Sequence, residues 1–403
     1  MKRLTSLMAS CAILFAGAAN AEISGGVVKI GILNDQSGLM SVLHGPGSVV
    51  AAKLAIEDFG GTVNGKPIEV IVADHQNRPD TGSEIARRWI DVDGVDAIFD
   101  VPNSAVAIAL VDIVTQKNSV MINTGAGTNR LTEDKCSPNT LHWNQDNWSQ
   151  INGTVSALTS EGMDSWFFLT VDAETGYDME KNAQPMLEKG KAKMVGSIRY
   201  PLGTPDFSSF LLQAQASGAK VIAIAGGGDD VNTAIKQGAE YGIQQAGQRF
   251  ATLAAYQANM RGIGLKLAQG TVLTDSFYWD QTDATRAFSD RFAAQFQGRK
   301  PTAHQAGVYS AVLHYLKAVS KIDEDRDGAK VVAAMKELPT DDPLFGPGSV
   351  REDGRKLQPM YVYQTKSPEE SKGDWDDLKL IGTIPADEAF KPLDKSCSLV
   401  ANQ

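Results

Sequence analysis

The chain of 403 residues is 42% hydrophobic and 21% charged, an ordinary globular balance at a length that suggests two domains rather than one. A formal net charge of −10 and the lack of any Lys/Arg cluster argue against a general nucleic-acid binder, because phosphate contacts need concentrated cations.

Lys2 and Arg3 precede a mostly apolar run from Leu7 to Phe15, too short to span a bilayer. Ala19-Asn20-Ala21 then has the small-x-small spacing of a signal-peptidase site, so residues 1–21 read as a signal peptide cleaved after Ala21. Met8-Ala9-Ser10-Cys11 loosely fits a lipoprotein cysteine, but too little apolar chain precedes Cys11. No later segment approaches the roughly 18–20 apolar residues of a membrane helix. The mature chain keeps Cys136 and Cys397, and in an oxidising compartment these are expected to pair, pinning the C-terminal tail to the middle of the chain. The alternative is two separate thiols.

Strand and helix signals alternate from residue 27 onward. Val27–Leu33 is a β-rich apolar run, and Gly45-Pro46-Gly47 opens a helical stretch carrying Val49, Val50, Leu54 and Ile56. Pro67–Ala73 reads as a strand, and Thr81–Val92 as a helix with Ile85, Trp89 and Ile90 on one face. Val95–Phe99, a helix near Ser104–Gln116 and Ser119–Asn123 continue the series. The pattern restarts after about residue 146. Trp166–Val171, Ala192–Tyr200 and Val221–Ala225 read as strands, with helices near Asp178–Lys189, Phe207–Ser217 and Asp230–Tyr241. Asp93-Gly94-Val95-Asp96-Ala97-Ile98 is faintly echoed by Ser217-Gly218-Ala219-Lys220-Val221-Ile222, as two similar lobes would require. The expected fold is α/β: two Rossmann-like lobes, each with a central, mostly parallel sheet. Open α/β sheets bind ligands beyond the carboxyl ends of their strands, so two facing lobes would line one cleft with both sets of ends.

Catalytic signatures are missing. There is no GxSxG elbow and no GxxxxGK[ST] loop, and Gly226-Gly227-Gly228 lacks dinucleotide spacing. Asp323, Asp325, Asp327 and Gly328 imitate the start of a calcium loop, but Ala334 stands where its glutamate belongs, which leaves a polar turn opening a helix. His44, His75, His142, His304 and His314 show no metal spacing, and neither metal nor cofactor is expected. Asn147-Trp148-Ser149 and Asn152-Gly153-Thr154 match glycosylation sequons by coincidence, given the bacterial type of leader.

The order of several short phrases is more specific than any one of them: Ile30-Gly31-Ile32 with Ser37-Gly38, Ala51–Ile56, Asp93–Ile98, Val120–Thr128, Asp206-Phe207-Ser208, Gly270–Leu273 and Pro343-Leu344-Phe345-Gly346. In this order the chain resembles the periplasmic type I solute-binding proteins of the branched-chain amino acid (leucine/isoleucine/valine) transporter family, over nearly all of the mature sequence. The resemblance implies a periplasmic, monomeric, non-enzymatic protein that delivers a small ligand to the membrane permease of an ABC importer. It also implies three crossings between lobes, a three-strand hinge, with lobe one at 27–145 plus 276–356 and lobe two at 146–275 plus 357–395.

In that family a serine at the N-terminus of the helix after the fourth strand holds the ligand carboxylate. Ser104, preceded by Asn103, occupies that place, and a helix N-terminus suits an anion. The next loop, with Gly125, Ala126 and Thr128, corresponds to the second carboxylate contact, and Leu43 and His44 to a packing position. Lobe two departs from the pattern: Ala254 stands where amino-acid binders carry an acidic ammonium partner, and Gly227 where a tyrosine belongs. Asp229 or Asp230 could substitute, and Tyr177, Tyr256 and His304 complete the expected lining. The expected ligand is an organic or aromatic carboxylate rather than leucine or valine. A ligand-sensing receptor of the same fold and a secreted α/β enzyme are the competing classes, and the leader favours transport.

Overall fold

β1 (Val28–Asn34) is buried along almost its whole length, which suits a strand covered on both faces of a sheet. The computed structural model describes residues 23–400; the leader read at 1–21, with Cys11, lies outside the described residues. After β1 come α1 (Gly45–Phe59), the short β2 (Thr62–Val63), β3 (Lys66–Asp74) and α2 (Pro79–Arg88). The sequence pattern runs this last helix on to Val92. Instead a π-helical turn, Trp89–Asp93, ends it, closed by Gly94 at φ 67°. β4 (Ala97–Asp100), α3 (Ser104–Lys117), β5 (Val120–Asn123) and β6 (Thr140–His142) complete a six-stranded sheet of order β2-β3-β1-β4-β5-β6. It is parallel except for the β2–β3 hairpin.

A second sheet follows the same plan. α4 (Asn147–Ser160), β7 (Ser165–Val171), α5 (Glu174–Lys189), β8 (Lys193–Tyr200), α6 (Ser208–Ala216), β9 (Val221–Ala225), α7 (Asp229–Glu240) and β10 (Arg249–Thr252) form a parallel sheet of order β10-β9-β7-β8 with its helices. Next come α8 (Gln257–Ile263), α9 (Leu265–Ala268), β11 (Val272–Asp275), α10 (Asp283–Gln295), α11 (Ala303–Ile322) and α12 (Gly328–Glu337). The Asp323–Gly328 segment is the polar turn expected, with Asp327 capping α12. β12 (Ser349–Val350) and β13 (Lys356–Leu357) pair with each other. β14 (Met360–Thr365) and β15 (Leu378–Ile384) join β11 in a wholly antiparallel sheet that the strand–helix alternation did not predict. The last element is α13 (Ala386–Ala389).

Four of the hydrophobic clusters bury the two parallel sheets. Ile30, Ile32, Phe99 and Ile122 pack on α1 and α11, and the opposite side of the same sheet buries Ile98 and Met121 against Val106 and Leu110. The second sheet packs Leu169, Ile222 and Ile224 on one face and Trp166, Phe168 and Ala223 on the other.

Buried polar bonds tie together the places where the chain passes from one sheet to the other. Ser276 Oγ donates to Asn144 Oδ1 at 3.1 Å and to Gln145 Oε1 at 2.6 Å. Asp146 caps α4 and also receives the enclosed Arg355 guanidinium at 3.2 Å. The Cys136–Cys397 disulfide is formed, across 261 residues of sequence.

Candidate functional site

In the first sheet the chain leaves β1 for β3 on one side and later returns to place β4 on the other. In the second sheet β7 leads to β8 on one side and β9 takes the other. The loops after β1 and β4, and after β7 and β9, therefore diverge and leave a crevice at each sheet's switch point. These crevices share one cavity of about 300 Å³. Leu39, Met40 and Pro102–Ala105 line it from the first sheet, with Gly125 and Gly127 after β5. Val171–Thr175, Gly227, Ala254 and Tyr256 line it from the second. The loops beyond the strand ends of both parallel sheets thus line one cavity.

The β4–α3 connection is the most constrained part of the first wall. Asp100 and Val101 adopt φ of 81° and 53°, a region that side chains avoid and a β-branched residue most of all. Surrounding bonds impose it. Asn34 Nδ2 donates to the Asp100 carboxylate at 2.8 Å and Thr124 Oγ1 at 3.0 Å, while His44 Nδ1 lies 2.7 Å from it. Burial raises the Asp100 carboxyl, but the adjacent His44 and these hydrogen bonds outweigh it and hold the group below its usual range. The turn delivers α3 with its N-terminus at the cavity. Asn103 Oδ1 accepts from the N–H groups of Ala105 and Val106 at 3.0 and 3.1 Å. Among the described residues the N–H and hydroxyl of Ser104 have no protein partner, and Ser104 faces the cavity.

Gly125 completes this wall by close approach. A Cβ there would stand 2.6 Å from Pro102 Cα and 2.7 Å from His44 Cε1. His44 lies behind the loop rather than in the cavity, stacked at 4.2 Å on His304. His304 Nδ1 donates to the Thr124 carbonyl at 2.9 Å, and burial, then the neighbouring His44, lowers its pKa to about 3, so the ring is neutral. Leu43, Ala126 and Thr128 are likewise buried behind the wall. Leu43 O accepts from Thr302, Ala126 N–H donates to Asn123, and Thr128 caps the turn Asn129–Thr132.

On the second wall Tyr256, Ala254 and Gly227 line the cavity. Tyr177 does not line it. Thr175 takes that place, because α5 begins at Glu174 and turns Tyr177 outward, with its hydroxyl on Asp172 and its ring 5.0 Å from Arg199. Asp229 is exposed and accepts from Asn232 at 3.0 Å. Asp230 is buried and accepts from Gly203 N at 3.0 Å, which fixes the loop presenting Leu202. Neither lines the cavity. Thus Asn103, Ser104, Gly125 and Tyr256 meet in the cleft, whereas Leu43, His44, Ala126, Thr128 and His304 support it from behind.

Several lining groups escaped the sequence reading. Asp172 and Glu174 bring carboxylates to the second wall; Glu174 is 3.3 Å from Arg130, whereas Asp172 has no ion-pair partner among the described residues. Asn77, Asn147 and Gln150 add amides, and Met40, Met179 and Leu202 add apolar surface. Among the described residues no Lys or Arg lines the cavity. Leu39 bridges the mouth: a Cβ on Gly228, whose φ is 65°, would lie 3.0 Å from Leu39 Cγ. Among the described residues no cluster could hold a metal ion, and no helix is long and apolar enough to cross a membrane.

Comparison with known proteins finds relatives over nearly the whole chain. Residues 27–374 match the family model described as periplasmic binding protein. A periplasmic binding protein from Burkholderia mallei is 40% identical, over 93% of this chain and 99% of that one, with a TM-score of 0.89. A branched-chain amino acid ABC transporter periplasmic ligand-binding protein from Burkholderia xenovorans LB400 is 39% identical, over 91% and 97%, with a TM-score of 0.82. Leu/Ile/Val-binding protein homolog 6 of Brucella abortus (strain 2308) is 24% identical, over 90% of this chain and 92% of its own.

Proposed function

The chain belongs to the periplasmic binding protein family, and we propose that this member captures a small carboxylate-bearing solute, aromatic acids included, and presents it to the membrane permease of an ABC importer. It acts in the periplasm as a binding protein, not an enzyme. The observation that carries the ligand class is Ser104. Its N–H and hydroxyl open on the cavity at the positive end of α3, with the neighbouring donors already capped by Asn103. The apolar surface of Met40, Met179, Leu202 and Tyr256 suits a ring or short chain beyond the carboxylate.

The division at 27–145 plus 276–356 and 146–275 plus 357–395 supports hinge closure. One buried cluster joins residues between Ile23 and Trp143 to residues between Phe277 and Val350, while two others draw on Ile151–Leu378. A ligand contacting both walls favours the closed arrangement by its differential contacts alone.

Asp172 supports a second reading. A lining carboxylate without an ion-pair partner could hold an amino-acid ammonium in place of the residue missing at Ala254.

Thermal shift with a panel of organic acids, aromatic acids, leucine and valine separates the two. Under the main reading carboxylates without an ammonium stabilise the protein, by about 2.7 kcal/mol at one hundred times the dissociation constant. Stabilisation by leucine or valine alone overturns it.

A further inference from the structure

Gln150 sits one turn into α4 and lines the cavity while only 2% exposed. Its Oε1 accepts from the Tyr256 hydroxyl at 3.3 Å, whereas its Nε2 is enclosed and has no hydrogen-bond partner. The Tyr256 hydroxyl therefore holds one end of the amide, and the other end carries unpartnered N–H groups on a side chain that lines the cavity. Such a donor is costly to leave unpaired once the cleft excludes water, and an ammonium cannot pair with it.

We propose that Gln150 is a specificity-determining residue that donates to a second oxygen on the ligand. The solute is then a carboxylate carrying a further hydroxyl, oxo or carboxylate oxygen, rather than one with a wholly hydrocarbon remainder. This rests on the reading of the cleft as a carboxylate site, with the first carboxylate at Ser104. A site built to satisfy a donor rejects the analogue lacking the acceptor far more strongly than an apolar pocket rejects a methylene.

Calorimetric titration of the full mature protein with two matched pairs tests this: benzoate against 4-hydroxybenzoate, and pentanoate against pentanedioate. In at least one pair the oxygenated member binds the native protein tenfold or more tightly. Gln150→Met narrows that ratio to less than threefold by weakening the oxygenated member, leaving the hydrocarbon member within about twofold. Tyr256→Phe, which releases the amide orientation, moves the ratio the same way. If Gln150→Met does not fold, the native ratio and Tyr256→Phe decide the matter. Equal binding within both pairs by the native protein, or an unchanged ratio in Gln150→Met, overturns the role of Gln150 and leaves the carboxylate site standing. Binding of benzamide and 4-hydroxybenzamide in place of the acids, or of none of these compounds, overturns both.

Discussion

Asp275, at the end of β11, is fully enclosed, and burial pushes its carboxyl up to about 8 against two backbone N–H groups, those of Ser276 and Phe277. The folded chain keeps a proton that the unfolded chain releases near pH 4, so this contribution is intact below that pH. It is lost as pH rises through about 8. Asp275→Asn should therefore gain stability relative to the native protein between pH 4 and 8, on the order of a few kcal/mol in urea melts. Burial lowers His75 and His314 to about 4, so these rings are neutral in the fold, and their contribution fades as pH falls from about 6.5 towards 4. Asp275→Asn should leave that acid limb unchanged. The same burial explains which site residues were legible in the sequence. Ser104 and Asn103 could be read because a helix start signals itself locally. His44 and Thr128 lie in loops and His304 at the start of α11, with their side chains behind the wall; position along the chain does not say which way a side chain turns. No local pattern singles out Gln150 in the sequence; only the fold shows that Tyr256 holds one end of its amide and that, among the described residues, nothing holds the other.

α3 does two jobs with one terminus. Asn103→Ala removes the acceptor for two N–H groups and should lower stability by about 1 kcal/mol in chemical denaturation. Because the freed donors compete with Ser104 for the anion and the first turn loosens, calorimetry should also show a several-fold weaker carboxylate. Asn103→Asp keeps the cap and should retain stability, yet repel the anion, which separates the two effects. Most of this framework was legible. Buried β-rich runs alternating with amphipathic helices predict parallel strands, and the restart after residue 146 marks the second sheet. Beginnings were less well read. α5 starts at Glu174, four residues before its expected Asp178, because no capping side chain marks the true start at Ala173. The antiparallel sheet was missed because β11 pairs with β14 nearly ninety residues later in sequence, and no local pattern announces a partner so distant.

At the level of the folded chain, the tail adds a connection back to the first parallel sheet. β15 pairs within the antiparallel sheet, but the segment after it runs back to the loop before β6 of the first parallel sheet. Lys391 reaches both Glu133 and Asp394, and Cys397 is bonded to Cys136 in the loop packed on α3. Closing so long a loop restrains the unfolded chain, so Cys136→Ser with Cys397→Ser should cost about 2–5 kcal/mol and lower the midpoint of thermal unfolding. Calorimetric melts of the double variant against the native protein measure it; an unchanged midpoint would mean the tail is held by its other contacts alone. The tether also decides what an optical reporter attached near the C-terminus would see. A dye at Ser396 follows β15 in sequence, but the bond at Cys397 ties it to the Cys136 loop beside the first parallel sheet. If the cleft closes by the proposed hinge motion, a dye pair at Ser396 and the exposed Lys236 on α7 changes its energy transfer on ligand binding, whereas a pair at Ser396 and Lys53 on α1 does not.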